Sequence, residues 1–396
     1  MLKLKHLRHP FRTAAVAGAK LRNHFNIHRS AARSQRYYGD DNRYDLENVD
    51  RGLAPRRHES SIRDSREDTT LLERICSAYG KAVEQQRFEP ERYEATGWWN
   101  EVRSRSLGPV MHALQTGDID SLRRIYRNFF RNPCSSGLVD LPYGLEKVYF
   151  GGKINDLHRR FYLGDALHRI DYWTERTGNR FSLRDLAGPN IGNPFGVSID
   201  GTLVRTGAPY QHYCAQRIAS HLATGPAVVA EIGGGFGGMA YYLLRDRPKL
   251  TYLDFDLPES IALTAYYLME SFPHLNFLLY GEEELTGEAM QRADVVLMPL
   301  FELPKLPLRS VDVSFSSNAI SDLSRESIVG YLEMVAWCTR NCFLHIGASE
   351  AAPLLSESIG SNRLPFRLAE TLSSGWHKYK YANAAEVECL YCIGAS

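Results

Sequence analysis

Three carboxylates and a run of glycines carry the densest chemistry in this chain. Glu231 precedes Gly233, Gly235 and Gly237 in the stretch "VVAEIGGGFGGMAYYLL", and Asp254 and Asp256 follow in "YLDFDLPES", 21 and 23 residues after Gly233. Glycines between a short apolar run and a helix-like segment leave backbone amides and a helix N-terminus facing a ligand, which suits anions and nucleotides. The segment satisfies two patterns at once. Positions 233, 235 and 238 fit the G-x-G-x-x-G of pyrophosphate-binding loops, while Glu231 with positions 233, 235 and 237 fits the E/D-x-G-x-G-x-G of S-adenosylmethionine (SAM) sites. Glu231 weighs toward the second, because a carboxylate beside the loop repels a pyrophosphate and attracts an α-ammonium group. An acid at the end of the next strand accepts hydrogen bonds from ribose hydroxyls, a need that NAD and SAM share. Asp254 and Asp256 both stand where that acid belongs.

The elements that must position these groups follow from the apolar pattern. Strands are expected over 227–232, 250–254, 276–280, 294–298, 311–316, 342–346 and 387–392, with helix-like segments such as "SIALTAYYLMESF" and "RESIVGYLEMVAWCTR" between them. That alternation predicts a mostly parallel, doubly wound sheet covered on both faces, with ligands at the carboxyl ends of its strands. The first half reads as mainly α. "TTLLERICSAYGKAVEQQ" places Leu72, Ile75, Tyr79 and Val83 on one helical face, and Asp118 caps a helix carrying Leu122, Ile125, Tyr126 and Phe129. "GVSIDGTLV" reads as a hairpin turning at Asp200-Gly201.

Composition bounds the class. The chain has 396 residues, 44% hydrophobic and 23% charged, as an ordinary globular protein does, and its most apolar window is too broken by glycine and Glu231 to be a membrane span. The formal charge of +1 hides an asymmetry: residues 1–38 hold nine Lys/Arg and no acid, so the remainder carries −8. Leu4, Leu7, Phe11, Ala14, Ala17, Leu21 and Phe25 are spaced to share one face of a basic helix, a pattern of peripheral membrane contact or of a transit peptide, although with no apolar core or cleavage pattern following it the stretch reads first as a solvated, partly disordered extension. An acidic body argues against nucleic acid as a partner. Seven scattered cysteines do not make a disulfide framework and fit a reducing compartment such as the cytoplasm, and Cys389 and Cys392 on one strand would point to opposite faces. Three regions are expected: 1–60 as a basic, flexible arm and linker, 61–220 as a mainly helical domain acting as a substrate lid, and 221–396 as a Rossmann-like domain.

Successive blocks resemble one family. "EIGGGFGGMAYYL", "YLDFDLPESIALTAYYL", "VVLMPLFELPKLPLRSVDVSFSSNAISDL" and "CFLHI", preceded by "LRRIYRNFFRNP", "IGNPFGVSIDGTLV" and "APYQHYCAQRIASHL", are similar in order and spacing to the bacterial sugar O-methyltransferase family over roughly residues 70–396. The resemblance implies a class I methyltransferase fold, SAM contacts from Glu231, Gly233, Gly235 and Gly237, a ribose acid at Asp256 or Asp254, and an Asn-bearing turn at Asn318 with Asp322 in the acidic place. Where the family has a polar turn after the fifth core strand, this chain has "HIGAS", which keeps His345 but follows it with Gly347.

Methyl transfer to a sugar hydroxyl is an in-line displacement, so positioning of the acceptor oxygen comes first and proton removal second. His345, placed by the strand pattern at a carboxyl end, is the first candidate base, with His212 in "PYQHYCAQ" and Asp322 next. A divalent metal such as Mg²⁺ would serve the same end, although no tight carboxylate cluster marks a site. Trp98-Trp99, Tyr210 and Tyr213 are candidates to stack on a sugar, whether a glycosidic or nucleotide-linked small molecule or a polysaccharide. Two other classes stand beside this reading: a nicotinamide-dependent oxidoreductase, and a binding or scaffold protein without turnover.

Overall fold

The computed structural model describes residues 10–56, 65–141, 146–150, 154–320, 323–376 and 385–394. A two-stranded hairpin of β1 (Gly196–Ile199) and β2 (Thr202–Arg205) precedes an eight-stranded sheet. The sheet contains β3 (Ala227–Ile232), β4 (Leu250–Asp256), β5 (Phe277–Leu279), β6 (Val295–Pro299), β7 (Val311–Ser317), β8 (Thr339–Ala348), β9 (Phe366–Ser374) and β10 (Glu386–Ile393). Its order is β5-β6-β4-β3-β7-β8-β10-β9. Strands β3 to β8 run parallel, and β10 is inserted antiparallel between β8 and β9. The chain lays down β3, steps outward through β4, then returns to the other side of β3 with β7, so the topological switch point lies at the carboxyl ends of β3 and β7.

Side-chain alternation divides the core in two. Val229, Tyr252, Leu297, Val313, Phe315 and Leu344 face one cluster, which continues without a break into the helical first half through Leu72, Leu122, Phe129, Leu167 and Trp173. Ala230, Leu253, Phe255, Val296, Met298 and Phe343 face the other, closed by Leu332, Val335 and Leu355. The fold is therefore α/β, with a doubly wound sheet and a mainly helical N-terminal portion. The expected Asp200-Gly201 turn is present, with φ of 49° and 75° and Ile199 paired to Thr202, the geometry of a two-residue hairpin loop. Strand β9 has no counterpart among the expected strands. It is a largely exposed edge strand whose residues lack apolar alternation, and the ladder with β10 alone makes it a strand.

Two expectations for the N-terminal region need correction. Residues 39–60 are not simply linker: Asp45 caps a helix, Leu46–Leu53, that buries Val49 and Leu53. Three apolar residues at spacings of three and four suffice for one buried helical face, although the surrounding composition is polar. The helix Pro10–Tyr38 packs on the helix Asp156–Arg176 through Ile27 and Ala31, which meet Phe161, and Tyr38 is buried as well. Phe25, a member of the expected apolar face, is 64% exposed. Leu4 and Leu7, and the side chains of Phe11, Ala14, Ala17 and Leu21, lie outside the described residues.

Gly52 is where the 46–53 helix touches β1. A Cβ there would stand 2.1 Å from the Gly196 carbonyl oxygen. Gly52→Ala is expected to lower the thermal unfolding midpoint by several degrees, about 1–3 kcal/mol. A free linker would tolerate the change with no shift.

Candidate functional site

The glycine loop leaves β3 at Ile232 and enters the helix Gly238–Asp246. Gly233, Gly235 and Gly237 have φ of 83°, 68° and 81°, the left-handed region that side-chain-bearing residues avoid. Gly233 N–H donates to the Phe255 carbonyl (2.9 Å), and a Cβ on Gly233 would meet Ala319 Cβ at 2.3 Å. Gly234 is required for a different reason. Its own Cβ would lie 2.5 Å from Asp254 Oδ1, the atom that accepts its N–H at 3.1 Å. The motif patterns treat Gly234 as a variable position; only the approach of the β4 acid makes it a glycine.

The loop hangs from the two aspartates of β4. Asp254 Oδ1 takes Gly234 N–H, while Asp256 Oδ2 takes Gly235 N–H at 2.9 Å and its Oδ1 takes Leu257 N–H at 2.6 Å. Thr264 Oγ1 donates to the Gly235 carbonyl at 2.9 Å. Glu231 lies at the end of β3 in register with Asp254, and Tyr252 Oη donates to its Oε2 at 2.5 Å. Three carboxylates thus share one buried neighbourhood. Burial and the charge of Asp256 push Glu231 up to about 7. Burial, with Glu259 nearby, raises Asp256 to about 7 against the pull of its two amides. Burial, then Asp256 and Glu231, hold Asp254 well above the usual carboxylate range.

Two chambers open over this loop. The first, about 210 Å³, is lined by Ile232, Gly233, Gly235, Asp256, Leu257 and Leu300, and is roofed by Trp98, Trp99 and Tyr331. The second, about 480 Å³, is lined by Glu231, Gly234, Phe236, Tyr210, Gln211, Asp140 and Glu386, and reaches Ala348 at the end of β8. Gly233, Gly235, Ser317 and Asn318 line both, so the chambers join at the switch point. Tyr210 Oη and Ser317 Oγ are hydrogen-bonded at 2.6 Å, and Asn318, with φ of 62°, anchors the turn by donating its N–H to the Ile346 carbonyl at 2.8 Å. Asp140 also has a positive φ, 57°, and is gripped by the buried Arg169 guanidinium, whose Nε lies 3.2 Å from Asp165.

The structure separates the two candidate ribose acids. Asp256 lines the first chamber, whereas Asp254 is fully buried beneath Gly234 and serves the loop. Gly237 caps the following helix and is not among the lining residues.

Neither histidine reaches either chamber. The expected strand 342–346 put His345 near a carboxyl end, but β8 continues to Ala348 and His345 sits mid-strand on the face of Phe343, 1% exposed, opposite Ser316 and Cys389. Burial lowers it to about 4. His212 is wholly buried among Trp173, Phe181 and Tyr242, takes the Trp173 indole N–H on Nδ1 at 3.1 Å, and is likewise lowered to about 4 by burial. Asp322 lies outside the described residues. Of the aromatic candidates, Trp98 lines both chambers, Tyr210 the second and Trp99 the first, while Tyr213 is buried and donates to Glu388 at 2.6 Å. Asp140, Gln211, Ser317 and Glu386 escaped sequence reasoning. They come from four separate segments, and no local pattern marks them.

Among the described residues no group of three or more His, Cys, Asp or Glu side chains is placed to hold a metal ion, and the seven cysteines are free. The loop and the acids fit a nucleoside cofactor with a charged amino-acid tail. The cradle would be filled by a Cβ at Gly233 or Gly234, one acid faces the first chamber, and a second acid, Glu231, faces the next.

The domain is Rossmann-like: a doubly wound, mostly parallel sheet with one antiparallel strand, β10, inserted beside its edge. No protein-family model and no curated protein matches the sequence. Solved structures similar to it include a SAM-dependent methyltransferase from Aquifex aeolicus, 13% identical over 46% of this chain and 89% of that one (TM-score 0.31). Magnesium protoporphyrin IX methyltransferase from Synechocystis is 11% identical over 58% and 97% (TM-score 0.36). A TehB-like SAM-dependent methyltransferase from Corynebacterium glutamicum is 12% identical over 46% and 87% (TM-score 0.31).

The raised carboxylates make the ligand-free protein pH-sensitive. A group held up to about 7 when folded, against an ordinary value near 4.5, contributes stability that is complete below its unfolded value and lost as pH rises through 7. The ligand-free unfolding midpoint is therefore expected to fall between about pH 5 and pH 8, and Glu231→Gln should reduce that slope. Equal slopes in differential scanning fluorimetry would remove Glu231 as a source.

Proposed function

We propose that this protein is a SAM-dependent methyltransferase whose acceptor is a sugar hydroxyl. The observation that carries the cofactor is the pair of joined chambers over a left-handed glycine loop, with Asp256 in one and Glu231 in the other. Asp256 would hold the ribose, with Leu257 and Leu300 against the base, and Glu231 would meet the ammonium end. A pyrophosphate in that place would face a buried acid, which counts against a nicotinamide cofactor. When bound, SAM supplies a methyl group activated as a sulfonium.

The chain's own task is then to hold an acceptor oxygen in line and to exclude water. Tyr210 offers apolar ring surface to a sugar, and Asp140, fixed by Arg169, offers a positioned hydrogen-bond acceptor. With both histidines in the core, the carboxylates of the second chamber and Asp322 are the candidates for the proton acceptor. The sugar itself rests on the sequence resemblance.

Calorimetric titration with SAM, S-adenosylhomocysteine and NAD tests the reading. Micromolar binding of the two sulfur nucleosides is expected, weakened about 10–100-fold in Asp256→Ala, in keeping with loss of charge-assisted hydrogen bonds. Binding of NAD alone would overturn the cofactor assignment, and binding of none would favour a module without turnover.

A peripheral membrane contact is also proposed for the basic arm. In the packed part of the Pro10–Tyr38 helix, Phe25, Arg29, Arg36 and Tyr37 point outward. No helix among the described residues is long and apolar enough to cross a membrane. Salt-sensitive sedimentation with phosphatidylserine vesicles, lost in Arg29→Glu/Arg36→Glu, is expected; sedimentation unchanged by the substitutions would dismiss the contact.

A further inference from the structure

The junction of the two chambers is narrower in composition than either chamber. Among the described residues six line both: Trp98, Leu138, Gly233, Gly235, Ser317 and Asn318. If SAM is the cofactor, the reading on which this inference rests, its nucleoside belongs on the Asp256 side and its amino-acid tail on the Glu231 side. The sulfur is the atom that joins the two parts, so it belongs at the junction. Of the six residues Trp98 alone is aromatic. Ser317 Oγ is engaged with Tyr210, Leu138 is apolar, and the Gly235 N–H is committed to Asp256.

The indole is seated there by the backbone of another segment. Gly137, with φ of 82°, lies against the ring so closely that a Cβ would come within 2.6 Å of Trp98 Cη2 and 3.1 Å of Trp99 Cζ3. Trp99 flanks the ring at 5.8 Å between centroids and a 53° tilt. Trp98 belongs to the short helix Gly97–Val102 of the N-terminal portion, so a residue outside the glycine-loop domain lines the place where the cofactor's charge would sit.

We propose that the Trp98 indole is the group by which this protein favours the positively charged sulfonium of SAM over the neutral thioether of S-adenosylhomocysteine. An aromatic face attracts a cation through its quadrupole and offers a neutral sulfur only dispersion, so the ring adds affinity for the methyl donor that the spent product does not share. The same preference would assist release of the product after each turnover.

The test is a comparison of two ligands across variants, read by calorimetric binding. Trp98→Leu is expected to weaken SAM binding by about 5–30-fold while changing S-adenosylhomocysteine binding by less than about threefold, and Trp98→Phe should fall between it and the wild type. Gly137→Ala, which forces the ring from its seat, should shift the ratio in the same direction. Equal weakening of both ligands would make Trp98 a wall only and overturn the proposal, as would an unchanged pair of affinities. Wild-type protein that binds neither nucleoside would instead overturn the cofactor reading itself. Circular dichroism of each variant distinguishes loss of fold from loss of selectivity, and Trp98→Phe keeps an aromatic ring if Trp98→Leu does not fold.

Discussion

The site depends on two β4 carboxylates accepting the N–H groups of a loop made of glycines. Asp254 and Asp256 take the amides of Gly234 and Gly235, and those bonds hold three left-handed residues in a single arrangement that opens toward solvent between β3 and β7. The cost is the burial of Glu231, Asp254 and Asp256 close together, which raises all three. A cluster of this kind destabilises the empty protein and favours a ligand that brings positive charge. Stability and ligand preference therefore have a common origin in one set of charges.

The helical first half completes the site as well as covering it. Trp98 and Trp99 roof the first chamber, Asp140 and Tyr210 wall the second, and one apolar core runs from Leu72 through Trp173 to the sheet. A glycine-loop domain alone would leave both chambers open to water. The Arg169 grip on Asp140 has the same effect on the second chamber, fixing a carboxylate in a left-handed backbone position that its surroundings must enforce.

The two histidines show how a plausible catalytic residue is lost to packing. Side-chain direction in a strand has a period of two, and β8 runs to Ala348, so His345 points with Phe343 into the core rather than toward the cavity. His212 lies on a helix beside cavity-lining Gln211, yet its ring points among three aromatic rings and accepts the Trp173 indole N–H. Buried and lowered to about 4, both are neutral at physiological pH and serve as core residues.

Local spacing determined a good deal. The glycine loop, the two acids of β4, the hairpin at Asp200-Gly201 and seven of the eight sheet strands follow from apolar period, turn chemistry and intervals along the chain, because these are short-range properties that sequence expresses directly. The edge strand β9 does not, since its pairing with β10 and not its own pattern makes it a strand. The choice of Asp256 over Asp254 as the cavity-facing acid, the need for glycine at 234, the assembly of Asp140, Gln211, Ser317 and Glu386 in one wall, and the burial of both histidines were decided only in three dimensions. Each depends on which distant segment comes within a few ångströms of another, and close packing between non-adjacent elements leaves no periodic trace in the order of residues.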